Sequence, residues 1–501
     1  PGCGRRLVPY ILFTDKVISM KSRTVRTVRQ RERDNRMQSG RNMRRPEYGD
    51  AVYRAGRQRM SDDRGQSSGS RGGYQGVIDR RREALNRPRP SYERDAARRS
   101  RPPKRSALAE LIIRMRRRPA EKAQYFDYDM LFVIIFLLCF GLVMLYSTSA
   151  YTAQTELEND MYYFSKQALI GVAGVVVMFV VSRIDYHLYG AFAVEIFGIS
   201  LVLMALVRTP LGAEFNGAAR WIRLPGNLTL QPAEVTKIAV ILFISYELCR
   251  LGRKAYPLAG IARVFLFGAI AAGGVLILTD NLSTAVIVMA ITCILIFVNH
   301  PKTKPFMLVV GVGVVILAIA IAVLAVMVSD TENLSNFRLR RIVSWLNPEA
   351  TASDGSYQLM QGLYAIGAGG FFGKGLGNST QKMVIPEAQN DMILVVICEE
   401  LGIFGVLIIL LLFGLMLYRL MFIARNAPDL YGSLIATGIF SHIALQVILN
   451  IAVVTGLLPT TGITLPFISY GGTSILFLLA EMGVALGISR RIRLDGDENK
   501  N

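Results

Sequence analysis

The stretch VIPEAQNDMILVVICEELGIFGVLIILLLF (384–413) decides how the rest of the chain is read. A polar segment holding Glu387 and Asp391 passes without a break into an apolar run. That run is long enough to cross a bilayer, which takes about 20 residues of helix. It carries two further carboxylates, Glu399 and Glu400. An ionised side chain at mid-bilayer costs about 2.5–3.5 kcal/mol on insertion scales, so such groups are expected to be paired or functional. At least one of Glu399 and Glu400 is therefore expected to face the bundle interior and hydrogen-bond there. Asp391, at the membrane edge, admits two compatible readings. It suits a helix N-cap, where a short acceptor and a negative charge are both favoured. It also suits a general base, tuned upward by burial and downward by nearby cations.

Outward from this junction the chain has 501 residues, 52% hydrophobic, and a net charge of +20. A polytopic membrane protein follows. The charge is uneven: 1–127 is basic and poor in large apolar residues, with clusters such as RPPKR and RMRRRP. That region is expected to be a disordered cytoplasmic segment that orients the chain. It lacks the aromatic interleaving of a nucleic-acid reader, so no nucleic-acid partner is expected. ALAELIIRMRRR (107–118) fits a short interfacial helix. No cleavable signal peptide is evident, and Met20 is nearer the expected native start than Pro1.

The membrane domain, 128–490, reads as ten transmembrane helices. They fall near 129–150, 163–182, 187–207, 231–250, 261–279, 282–299, 306–328, 391–418, 431–454 and 468–489. The fold class is thus an all-α polytopic bundle with a large extracytoplasmic loop between helices 7 and 8 and a cytoplasmic tail, 491–501. With the N-terminus inside, Arg183, Arg250, Arg253, Lys254, Lys302, Lys304, Arg419 and Arg425 fall on the cytoplasmic side, as the positive-inside rule requires. The exceptions are outer cations: Arg208, Arg220 and Arg223 in one loop, and Arg338, Arg340, Arg341, Lys374 and Lys382 in another. An anion such as a phosphate would compensate them. An interfacial helix touching lipid headgroups is the plainer reading of Arg338–Arg341.

The segment AIGAGGFFGKGLGNSTQK (365–382) is glycine-rich, suited either to cradling an anion or to a flexible connector. It is not a nucleotide P-loop, because Gly375 follows Lys374. Glu234 and Lys237, three apart on one helix face, can pair and so reduce each other's burial cost. His442, Gln446 and Asn450 form a polar stripe that either joins helices or lines a cavity. The cysteines and histidines show no zinc spacing and no Gly-x-Ser-x-Gly elbow occurs, which sets aside zinc and serine-hydrolase chemistry.

Four motifs, GAARWIRLPGNLTLQPAEVTK (217–237), GLYAIGAGGFFGKGLGNSTQKMVIPEAQND (362–391), ICEELG (397–402) and GLLPTTGITLPFISYGGTSIL (456–476), resemble the SEDS family, that of FtsW, SpoVE and RodA. The resemblance covers roughly 128–490. It implies a ten-helix glycosyltransferase of the bacterial cell membrane, active on its outer face, that polymerises lipid II in cell-wall synthesis during division. Asp391 matches the essential aspartate. The implied substrate-binding residues are Arg220, Arg223, Glu234, Lys237, Lys374, Asn378, Ser379, Gln381, Lys382, Glu387, Ser469 and Thr473. A divalent cation (Mg or Mn) at Asp391 and Glu387, no nucleotide, and a class B penicillin-binding protein partner among other divisome proteins are also implied. Where many relatives read QPDLGTA, this chain reads TDNLSTA (279–285), which leaves the role of that aspartate open. Gln389 and Asn390 stand where His and Thr are usual. A lipid II flippase and a non-catalytic division scaffold are the competing functions.

Overall fold

The computed structural model describes residues 125–215, 218–224, 228–302, 307, 311, 341, 344–346 and 356–492. The basic region up to residue 124, the tail from 493, the expected seventh span apart from residues 307 and 311, and the cations Lys304, Arg338 and Arg340 lie outside them. In chain order the helices are α1 (Tyr128–Leu157), α2 (Tyr162–Arg183), the short α3 (Tyr186–Ala191) and α4 (Ala193–Leu206). After three strands come α5 (Pro232–Leu251), α6 (Leu258–Leu278) and α7 (Leu282–Asn299). Then follow α8 (Tyr357–Gly369), α9 (Ile393–Asn426), α10 (Leu430–Val454) and α11 (Ser474–Ser489).

Six of these, α1, α2, α6, α7, α9 and α10, are long and apolar enough to cross a membrane, and α4 and α11 are shorter apolar helices. Helix α5 coincides with the expected fourth span, but Glu234, Lys237, Glu247 and Arg250 make it more polar than its neighbours. The expected third span is broken at Phe192, between α3 and α4. The tenth begins later than expected because 466–473 forms turns rather than helix.

The chain is not all-α. The loop expected at 208–230 folds into an antiparallel sheet of β1 (Gly212–Phe215), β2 (Ala218–Leu224) and β3 (Leu228–Leu230), in that order. Ile222 on the central strand pairs with Gly212 and Leu230. With Ala219 and Val207 it forms a small satellite core. The register shift between Ala213 and Glu214 leaves Arg220 as an extra residue on β2, so Ala219 and Ile222, three positions apart, both join this core against the end of α4 while Arg223 stays exposed.

Helix packing follows the rule for membranes, where small residues let backbones approach. A Cβ at Gly483 of α11 would lie 2.6 Å from the Met178 carbonyl of α2, so this pair closes on glycine. The N-terminal entry is clasped as well. Asp127, fully buried, caps α1 through Met130 N–H at 2.9 Å and accepts from Arg419 Nε of α9 at 3.0 Å. Arg419 also donates to the Tyr125 hydroxyl. Residues 125–127 therefore pack with the membrane domain.

Candidate functional site

The junction at 384–413 forms a broken helix. Within α9, Gly402 has φ +71°, ψ −174°, which interrupts the hydrogen-bond ladder inside a membrane-spanning element. Freed backbone groups in such a place must find protein partners. The glycine-rich segment supplies them: Lys374 and Gly375 N–H donate to the Glu399 and Glu400 carbonyls at 2.9 Å. Ile403 and Phe404 N–H donate to Gly370 and Phe371 carbonyls at 3.1 and 3.0 Å. The approach leaves no room for side chains. A Cβ at Gly373 (φ +80°) would stand 2.2 Å from the Glu400 carbonyl, and one at Gly402 2.3 Å from the Phe371 carbonyl. The glycines thus serve a backbone splice, and two N–H groups that an anion cradle would need are spent on it.

The same break explains Glu399 and Glu400, both fully buried. Glu399 meets Lys374 Nζ at 2.6 Å, the Ser379 hydroxyl at 2.5 Å and Gln381 N–H at 3.2 Å. Its other oxygen contacts include Thr380 N–H at 3.2 Å. Glu400 meets Lys382 Nζ at 3.1 Å, Ser379 N–H at 3.3 Å and the Ser147 hydroxyl of α1 at 2.7 Å. A buried charge of this kind is tolerated only when paired and fully hydrogen-bonded. Lys374, Ser379, Gln381 and Lys382, expected at the substrate, are here the ligands of these two acids. Asn378 folds back on the Lys374 carbonyl at 3.1 Å.

Asp391 does not cap α9. The N-cap position is Met392, and no side chain caps it. The Asp391 carboxylate is 9% exposed, with Gln358 Nε2 of α8 at 3.4 Å from Oδ1. Burial pushes its pKa up to about 6, against the lowering effect of its own backbone N–H and of the Arg341 guanidinium. Glu387 adds to the rise. This is the pattern of a carboxylate poised to exchange a proton near neutral pH.

The turns from 456 to 473 close over this acid. Gly462 borders it, at 3.9 Å from Oδ2 to a built Cβ. Arg341 Nη1 donates to the Thr460 carbonyl at 3.1 Å, and the Ser283 hydroxyl to the Thr461 carbonyl at 2.8 Å. Ser469 binds Leu465 N–H at 2.8 Å, and Tyr470 N–H donates to the Gln389 carbonyl at 2.9 Å. Thr473 reaches the Thr229 carbonyl of β3 at 2.5 Å. Ser469 and Thr473 thus tie the turns together and to the sheet.

The polar stripe of α10 holds the assembly from below. Asn450 Nδ2 donates to the Asp391 carbonyl at 2.9 Å and to the Ile463 carbonyl at 2.7 Å. One turn away, Gln446 donates to the Thr464 carbonyl at 3.0 Å and accepts from Lys237 Nζ at 3.3 Å. Lys237, 2% exposed, pairs with Glu234 at 2.9 Å. His442 pairs with Glu481 of α11 at 2.8 Å. These residues join α5, α10, α11 and the segment leading into α9, so the stripe is a joint between helices.

Arg220 donates to the Asp280 carbonyl at 3.2 Å, and Arg208 pairs with the Asp280 carboxylate at 2.9 Å. Arg223, exposed, lines a cavity of about 470 Å³ with Arg208, Thr209 and Glu214. In TDNLSTA, Asn281 caps α7 by accepting from Thr284 N–H at 3.0 Å, a role Asn fills as well as Asp. Gln358 escaped the sequence reading: it lies in an unremarkable helix, and no local pattern marks it. Arg341 was legible only as one of several outer cations.

Among the described residues no group of three or more His, Cys, Asp or Glu side chains is placed to hold a metal ion. Asp391 and Glu387 supply two carboxylates. Glu387, in a left-handed conformation (φ +53°), already accepts from Asn390 Nδ2 at 2.6 Å. That donor set fits a magnesium-like ion, which takes one or two carboxylates and keeps water or substrate phosphate oxygens for the rest.

A multi-pass membrane bundle whose loops fold back over one buried acid at its end is the class defined by this fold and site. Residues 128–494 match the model of the FtsW/RodA/SpoVE family, described as cell cycle protein, and the chain belongs to that family. It is 37% identical over 385 residues to the probable peptidoglycan glycosyltransferase FtsW of Trichlorobacter lovleyi, covering 76% of this chain and 98% of that protein. It is 37% identical over 372 residues to stage V sporulation protein E of Bacillus subtilis, covering 73% and 98%. Among solved structures it resembles a chain of a peptidoglycan synthase complex that coordinates polymerization and crosslinking. That likeness has a TM-score of 0.60 at 27% identity and covers 73% of this chain and 98% of that one.

Proposed function

We propose that this chain is a peptidoglycan glycosyltransferase that polymerises lipid II into glycan strands for cell-wall synthesis at division. The observation that carries the proposal is Asp391: a buried carboxylate with a pKa near 6, in a polar surround, two residues before a membrane-spanning helix. A lipid-linked sugar can reach such a position without leaving the bilayer edge. The ionised Asp391 takes the proton of the acceptor 4-hydroxyl as that oxygen attacks the donor's anomeric carbon. The bond from that carbon to the diphosphate oxygen breaks, undecaprenyl diphosphate leaves with the electron pair, and inversion yields a β-1,4 link. No nucleotide is needed, because the diphosphate is the leaving group.

The departing charge requires donors. Since Lys374 and Lys382 are engaged with Glu399 and Glu400, Arg223, open to its cavity, and Arg341, beside Asp391, are the better-disposed cations. A divalent cation held by Asp391 and Glu387 would neutralise diphosphate charge. Glu234 and Lys237 support the site through Gln446 rather than touching the reacting atoms.

The termini and the basic region are assigned to the cytoplasm and Asp391 to the outer face. Supporting this, Arg183, Arg250, Arg419 and Arg425 fall at helix ends opposite the Asp391 end, as the positive-inside rule requires. A class B penicillin-binding protein is the proposed partner, crosslinking the strands that this chain extends, with other divisome proteins around them.

The test is polymerisation of lipid II by the purified chain with that partner. The wild type should make glycan strands and Asp391→Ala should make none. Strand synthesis by Asp391→Ala at the wild-type rate would overturn the assignment, and lipid II crossing liposomes without any synthesis would favour a flippase.

A further inference from the structure

At the end of the bundle away from Asp391, Glu247 of α5 is 1% exposed, yet carries a carboxylate at the membrane boundary. Both its oxygens are occupied by arginine. Arg250 Nε lies 3.0 Å from Oε2, with its Nη2 at 3.2 Å from Oε1, and Arg263 Nε of α6 lies 3.0 Å from Oε1. The two guanidiniums are thus held side by side from behind by one buried anion. Their side chains remain 47% and 49% exposed. A guanidinium has five donors in a fixed fork, suited to phosphate oxygens.

The surroundings extend the match. Gly252 (φ +52°) turns the chain after α5 into a 3-10 turn, Gly252–Ala255, which sets Arg253 and Lys254 at the surface. Glu247 is the only acid between 247 and 263, and it is already paired with two of the four cations in that stretch. Below them, Leu266, Ile270 and Ile277 follow Arg263 at i+3, i+7 and i+14, one face of α6. They are 58%, 45% and 69% exposed. Cations at the rim and an apolar track running down one helix match the two halves of a membrane lipid, and a free phosphate has no use for the second half.

We propose that Arg250 and Arg263, splayed by Glu247, bind the phosphodiester headgroup of an anionic phospholipid, with Arg253 and Lys254 adding attraction and the exposed face of α6 seating an acyl chain. Such a site would fasten the α5–α6 corner to the anionic leaflet. It is independent of the chemistry at Asp391.

The test uses the detergent-purified full chain with three probes: dioleoyl phosphatidylglycerol, dioleoyl phosphatidylcholine and inorganic phosphate. Lipid retention is read by native mass spectrometry and stability by thermal unfolding. Phosphatidylglycerol should be retained and raise the unfolding temperature, and the other two should do neither. Arg253→Gln/Lys254→Gln leaves both Glu247 pairs intact, and it should weaken phosphatidylglycerol retention on the order of tenfold, the loss expected of two cations beside an anionic headgroup. Arg250→Lys/Arg263→Lys keeps the charge but removes the planar forks, and should weaken retention as well. Equal retention of the two lipids, an equal effect of inorganic phosphate, or unchanged retention in Arg253→Gln/Lys254→Gln would each overturn the proposal. That last variant decides the matter if the arginine-to-lysine protein fails to fold.

Discussion

Asp391→Asn should abolish polymerisation and, at alkaline pH, make the protein more stable. The carboxyl group ionises at about 6 in the folded chain against a reference of 3.8. Between those values the folded state keeps a proton that the unfolded state has lost, so stability falls as pH rises through this window. At about 1.4 kcal/mol per unit, a gap of about two units leaves the ionised form costing the fold about 3 kcal/mol at pH 8. Asparagine keeps the size, an acceptor for Gln358 Nε2 and the backbone carbonyl that Asn450 holds. It removes only the charge. The variant should therefore unfold a few degrees higher than wild type at pH 8, given roughly 2–4 °C per kcal/mol in mid-sized domains and less in larger ones. At pH 5 the free-energy gap should shrink to roughly half, because the wild-type group is then mostly protonated when folded. The assay is thermal unfolding of the two purified proteins across pH 5–8, beside strand synthesis from lipid II. Wild-type activity should rise with pH through about 6 as the base ionises. A variant no more stable than wild type at pH 8, or a gap that does not narrow toward pH 5, would refute the argument from burial.

Two further substitutions probe the splice that supports this acid. Gly402→Ala forces a side chain into φ +71° and within 2.3 Å of the Phe371 carbonyl. Backbone strain of this kind alone costs about 1–3 kcal/mol, and the yield of monodisperse protein should drop sharply. Lys382→Met leaves Glu400 without its ammonium partner, a loss of about 3–5 kcal/mol for a buried pair. Adding Glu400→Gln should recover much of it, read as the coupling in a double-mutant thermal-unfolding cycle.

A bundle this apolar leaves its multi-pass character plain in the sequence, since about 20 consecutive apolar residues have few soluble explanations. The acids at 399 and 400 announced themselves by their cost in hydrocarbon. What the chain does between the spans was not legible. AARWIRL is too short a run, and is bulged at Arg220, so nothing local separates a strand from a loop and the sheet was missed. A glycine-rich run suits an anion cradle, a connector or a backbone splice equally well. Only the opposite strand of backbone, at Glu399–Phe404, selects among them.

The sequence by itself determined that this is a multi-pass membrane protein, that Asp391 closes a polar segment running into an apolar one, and that carboxylates inside the apolar run must have partners. Composition, span length and the energy of charge in hydrocarbon suffice for that, because they are properties of residues and their immediate neighbours. The tertiary structure alone decided which partners they have. Lys374 and Lys382 might equally have faced a diphosphate, and Asp391 might equally have capped α9, since each arrangement satisfies the same local chemistry. The break at Gly402 commits both lysines to Glu399 and Glu400. Asp391 is left buried and caps no helix, its carbonyl held by Asn450 from 59 residues away in the chain. Contacts at such separations depend on how helices pack, which no stretch of sequence specifies.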